Sequence, residues 1–103
     1  MCYLVLVTTP KKPRANEIGQ KLVEEELAAC ANIIEKINSI YRWKGKIEKS
    51  NESLLILKTT KSNLDDLINR VKELHSYEVP EVLALPIEKG SNEYLEWLEN
   101  NVR

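Results

Sequence analysis

Apolar and polar positions alternate along this chain with two different periods, and each change of period marks an element. Tyr3 to Thr9 is apolar without interruption up to the threonines, the pattern of a buried strand. Pro10 and Pro13 end it and open a helix, whose first turn tolerates proline. Ala15, Ile18, Gly19, Leu22, Val23 and Leu27 then recur at helical spacing opposite Glu17, Gln20, Lys21, Glu24 and Glu25. From Ala31 to Glu48 the period becomes two: Ile33, Ile37, Tyr41, Trp43, Gly45 and Ile47 share one parity. Arg42, Lys44, Lys46 and Glu48 take the other, and an irregularity is expected near Asn38. Because the alternation continues through Gly45, the pattern predicts a turn at Lys49-Ser50-Asn51-Glu52 instead of Lys44-Gly45. Leu54 to Leu57 is the return strand. Ser62 or Asn63 is expected to cap a second helix, with Asp65 and Asp66 in its first turn and Leu64, Leu67, Ile68, Val71 and Leu74 as its stripe. Val82 to Ile87 is the last strand. Gly90-Ser91 then turns into a terminal helix carrying Tyr94, Leu95, Trp97 and Leu98.

The order predicts an α+β class chain: a ferredoxin-like βαββαβ unit with an added C-terminal helix, residues 1–103 forming one domain. Its sheet order is 4-1-3-2, which places the unbroken apolar strands centrally and Pro86 on an edge. Such a sheet carries helices on one face only, and the other face should be polar. Here it cannot be. Successive side chains point to opposite faces, so Leu4 to Val7, Leu54 to Leu57 and Val82 to Leu85 make both faces apolar. A terminal helix of about ten residues is too short to cover three strands. The expectation is a second copy of the chain on that face.

Charge removes several partners. Fifteen basic residues face sixteen acidic ones, a net charge of -1, without the basic surplus of nucleic-acid or anionic-membrane binding. The apolar run Cys2 to Val7 is far below the ~18 residues of a membrane span and lacks the flanks of a secretory leader. With two cysteines in neither C-x-x-C nor disulfide-scaffold spacing, the expected location is cytoplasmic. No nucleophile-histidine-acid signature or phosphate loop is present, so no enzymatic activity is expected. An acylphosphatase-like reading would need a glycine-rich loop after the first strand, where Thr8 to Arg14 has no glycine.

His75, the only histidine, is the natural metal candidate, with Glu78 and Glu81 close in sequence. The competing reading has its ring bond a backbone carbonyl or cap the second helix. Cys30 is expected to pack as a small hydrophobe. Tyr41, Trp43, Lys58, Tyr77 and Glu81 are candidates for an intersubunit cleft lined by aromatics with a few polar groups.

Ala28-Ala29-Cys30-Ala31-Asn32-Ile33, Tyr41-x-Trp43-x-Gly45-x-Ile47-Glu48, Leu57-Lys58-Thr59, His75-x-Tyr77-Glu78-Val79-Pro80-Glu81 and Tyr94-Leu95-x-Trp97-Leu98 occur in that order. Together they resemble the CutA family of divalent-cation tolerance proteins over nearly the whole chain. The resemblance implies a homotrimer with sheets packed inside and long hairpins gripping neighbours. It also implies a role in tolerance to copper and other divalent cations without catalysis. Ser76 stands where that family normally has proline. Val7 stands where some members carry a cysteine associated with copper, and valine supplies no ligand. The alternative is a trimeric signalling or adaptor protein, like the nitrogen-regulatory trimers, binding a small ligand in intersubunit clefts.

Overall fold

Each apolar run becomes a strand or a helix in the expected order. A computed structural model describes residues 1–103 and contains β1 (Cys2–Thr9), α1 (Lys12–Glu24), β2 (Cys30–Trp43), β3 (Lys46–Thr60), α2 (Leu64–Leu74), β4 (Val82–Pro86) and α3 (Asn92–Asn100). The four strands form one antiparallel sheet in the order β2-β3-β1-β4. The ferredoxin-like arrangement is therefore as expected, with Pro86 on the edge strand.

One face of the sheet carries the core. Val5, Val7, Leu55 and Leu57 pack with Ile18, Leu22, Leu27, Leu67 and Val71 of the helical layer, all essentially fully buried. Gly19 lets α1 sit low on the sheet: a Cβ there would lie 3.0 Å from the Ala31 Cβ and 3.3 Å from Leu55 Cδ1. α1 ends with Glu26 in the left-handed region at φ 58°. The Leu27 and Glu26 amides donate back to the Leu22 and Val23 carbonyls, which closes the helix without glycine.

Arg70 on α2 grips Glu25 at the end of α1 with a two-pronged contact, Nε to Oε1 at 2.9 Å and Nη2 to Oε2 at 2.8 Å. That hydrogen bond, opposed in part by desolvation and aided by the Arg70 charge, holds the Glu25 carboxyl below its ordinary value of 4.5. A lowered folded-state value stabilises above the ordinary value, and the contribution is lost as pH falls through the folded-state value. Arg70→Gln is therefore expected to lose less stability than wild type between about pH 7 and about pH 3, read as a smaller drop in urea midpoint.

The hairpin differs from the sequence reading. The chain turns at Lys44-Gly45, with φ of 50° and 79°, and Trp43 pairs with Lys46. This is the two-residue turn with both central residues at positive φ that matches strand twist, and glycine fits its second position without strain. Alternation alone cannot see such a turn, because a two-residue turn keeps the apolar rhythm. Ile47 accordingly pairs with Arg42, and the expected turn around Lys49 to Glu52 is continuous strand. The irregularity falls between Ile34 and Ile37, slightly earlier than Asn38. It flips the parity. Ile33 packs against the helical core, whereas Ile37 pairs with Glu52, and Tyr41 and Trp43 keep the parity of Ile37. Asn63 precedes α2 but makes no side-chain cap; its amide donates to the Thr60 hydroxyl at 2.8 Å and the Arg103 carbonyl at 2.6 Å.

The opposite sheet face is apolar, as expected. Strand register sets Asn32, Ile56, Leu6 and Leu83 in one row, with Cys30, Lys58, Leu4 and Leu85 in the next. Ile34 and Leu54 pair beside them. α3 packs on β1 and β3, buries Leu98, and lies at the end where Cys2 is also buried. It leaves the rest open: Leu83 is 55% exposed, and Ile34 and Leu85 46% each.

Candidate functional site

Beyond the bulge, the β2–β3 hairpin projects past the sheet and faces the segment that joins α2 to β4. What fixes that segment is His75. α2 ends there as the backbone turns extended at φ -80° and ψ 146°. The ring Nδ1 accepts the Tyr77 amide at 3.0 Å, so the proton lies on Nε2, which donates to the Thr8 carbonyl at 2.6 Å. The Tyr77 ring stacks at a tilt on the imidazole, centroids 4.8 Å apart. The imidazole thus ties the linker to the end of β1 and aims Tyr77 at β3. There the Tyr77 hydroxyl donates to Glu52 Oε2 at 2.8 Å. Burial first, then the Glu52 hydrogen bond and charge, hold the Tyr77 phenol well above the usual tyrosine range.

Hairpin and linker enclose a cleft of about 600 Å³. Tyr41, Trp43 and Tyr77 line it, with Thr8, Ser39, Glu52, Glu78 and Glu81 as polar groups. The Tyr41 hydroxyl lies 3.4 Å from the Ser50 hydroxyl across the hairpin, a contact that steadies the ring. Four of the five cleft candidates, Tyr41, Trp43, Tyr77 and Glu81, are brought together here.

Lys58 is not among the cleft-lining residues. It lies on the open sheet face toward α3, its Nζ 5.6 Å from the Tyr94 ring centre and 3.9 Å from Cys30 Sγ. It does sit near the end of a central strand, whereas the β3 residue that lines the cleft is Glu52, in the middle of that strand. Cys30 is half-buried, not fully packed away, and contacts Asn32 Oδ1 at 3.6 Å. Cys2 is buried, and burial followed by the nearby Glu99 charge pushes its thiol up.

Both His75 nitrogens are engaged within the chain, so ligation by this ring would require it to release the Tyr77 amide or the Thr8 carbonyl. No three histidine, cysteine, aspartate or glutamate side chains gather closely enough to hold a metal ion. Glu52 is the residue that the sequence reading misses. Alternation assigns it to a turn, and only the true register, Ile37 opposite Glu52, places it under Tyr77.

Sheet order, single-sided helical layer, bared apolar face and hairpin cleft define a ferredoxin-like protein with one uncovered sheet face. The family described as "CutA1 divalent ion tolerance protein" matches residues 3–101, and the chain belongs to that family. It is 50% identical over 98 residues to "Divalent-cation tolerance protein CutA" of Thermus thermophilus, covering 95% of each chain. It is 47% identical over 100 residues to "Protein CutA, chloroplastic" of Arabidopsis thaliana, covering 97% of this chain but only 55% of that relative's length. Among solved structures, a divalent cation tolerance protein (Cut A1) from Thermus thermophilus superposes over the whole of both chains with a TM-score of 0.97 at 48% identity. No helix is long and apolar enough to cross a membrane.

Proposed function

We propose that this chain acts as a homotrimeric, non-catalytic divalent-cation tolerance protein of the cytoplasm, with copper among the ions it meets. Membership of the family supports the tolerance role. The observation that carries self-association is the open sheet face, where Leu83, Leu85 and Ile34 stand about half exposed beside Leu6 and Ile56. Full burial of such a leucine or isoleucine is worth about 1.5–3 kcal/mol, and for side chains already half buried a neighbouring copy supplies roughly half of that. The number three follows the family resemblance. Free thiols at Cys2 and Cys30 suit a reducing compartment.

Metal capture in this reading does not run through His75, whose lone pair on Nδ1 is already committed. Equilibrium dialysis of the assembled protein against copper(II), with metal analysis, tests it. Saturable copper uptake that survives His75→Ala is expected. A complete lack of uptake of copper, zinc and cobalt would remove the metal reading.

A second reading, a signalling or adaptor trimer with a small ligand held at each cleft, is favoured by the cleft itself. It has preformed aromatic walls and a few fixed polar groups, which is the usual composition of a ligand site.

A further inference from the structure

We propose that the hairpin cleft binds an organic cation, an alkylammonium group seated against Tyr41 and Trp43 with Glu52, Glu78 and Glu81 as its counter-charges. The proposal deepens the second reading above and rests on the cleft being a ligand site.

Charge carries the argument furthest. The chain as a whole is nearly neutral, yet three carboxylates line this one cleft, and no lysine, arginine or histidine does. The ion pairs of the chain are Lys12–Glu35, Arg14–Glu17, Arg70–Glu25 and Arg70–Glu73, and none includes a cleft carboxylate. Glu52 is the acute case. Only 8% exposed, it accepts a single hydrogen bond, from Tyr77 to Oε2, and joins no ion pair; since no buried side-chain oxygen of the chain lacks a partner, its other oxygen reaches solvent. Its charge faces solvent without a counter-ion within the chain, and an ammonium group entering the cleft would supply one. An anionic ligand would meet repulsion from all three.

Size and wall chemistry then choose among cations. The cleft of about 600 Å³ is within the range of small-molecule sites and far larger than a bare ion needs. Its carboxylates do not converge as a metal's inner ligands. The exposed walls are the rings of Tyr41 and Trp43, whose faces attract ammonium groups. Lys44, outside the cleft lining, already sets its Nζ 5.9 Å from the Trp43 ring centre, so that ring takes an ammonium neighbour in this structure. Bulky, soft cations satisfy both the rings and the acids. A compact hydrated metal satisfies only the acids.

Titration calorimetry with choline, against its uncharged isostere 3,3-dimethyl-1-butanol, isolates the charge. Wild-type protein is expected to bind choline saturably and the alcohol at least ~10-fold more weakly. Glu52→Gln keeps an acceptor for Tyr77 and removes the charge; a roughly tenfold loss of choline affinity is expected. Glu81→Gln, on an exposed residue that cannot disturb folding, is expected to weaken binding in the same direction. Equal binding of choline and the alcohol would overturn the proposal, as would choline binding unchanged in both variants or absent from wild type. Copper dialysis and sedimentation on the same samples report separately. A failed choline titration on protein that still assembles and takes up copper sinks this inference alone.

Discussion

Gly19→Leu is expected to leave the chain largely unfolded, or to cost about 3 kcal/mol or more where it still folds. The site has no room: the first added carbon would already lie 3.0 Å from the Ala31 Cβ and 3.3 Å from Leu55 Cδ1. Neither neighbour is free to move: the Ala31 Cβ is fixed to its backbone, and Leu55 Cδ1, though a side-chain end, is held in the core. Ala31 is a strand residue of β2, and Leu55 belongs to the fully buried core. Three further carbons would have to lift α1 off the sheet, exposing Ile18 and Leu22. Total stabilities of single domains are only about 5–15 kcal/mol, so the loss is a large fraction. Gly19→Ala is the informative companion. Helix propensity favours alanine by about 1 kcal/mol, close contact opposes it, and the net is expected to be small. Urea midpoints of the two variants check this. A leucine variant as stable as wild type would mean that α1 does not lie where the structure puts it.

Leu6→Glu is expected to abolish self-association while leaving the subunit folded. Leu6 sits mid-row between Ile56 and Leu83 on the face opposite the helical core, with its neighbours Val5 and Val7 taking the buried positions. Folding therefore does not need its methyl groups. The assembly does, in the proposed arrangement, because every subunit would bring a carboxylate into a dry interface. Burying an unpaired carboxylate costs at least several kcal/mol per copy, beyond about 2 kcal/mol for the lost leucine. Light scattering with chromatography reads the mass, and near-UV circular dichroism reads the fold. An assembled Leu6→Glu protein would show that this face is not the one that is covered.

The elements most open to sequence reading are those with long, single-period patterns. β1, α1, α2 and the central part of β3 carry continuous or helical apolar repeats, and burial of those repeats is what makes them form. The apolar second face is legible for the same reason, since neighbouring apolar residues in a strand cannot share a side. The hairpin is not. Its turn at Lys44-Gly45 preserves alternation, and its bulge between Ile34 and Ile37 shifts parity, so counting residues gives the wrong partner for every position between. That error alone hides Glu52.

The cleft is legible in its residues and opaque in its logic. Tyr41, Trp43, Tyr77 and Glu81 stand out as aromatics and an acid beside prolines and glycine, and they do converge. Within one chain Lys58 lies on the open sheet face toward α3, a placement that only register reveals. His75 shows the difference between type and role. A lone histidine near glutamates suggests a metal, and in the fold the same ring braces the linker and turns Tyr77 toward Glu52.

Sedimentation of the wild-type chain at high dilution tests the account most directly, since the uncovered sheet face is what the proposed assembly rests on. A single species of three 11.9 kDa chains is predicted to persist as the protein is diluted. Folded single chains stable in isolation would contradict it.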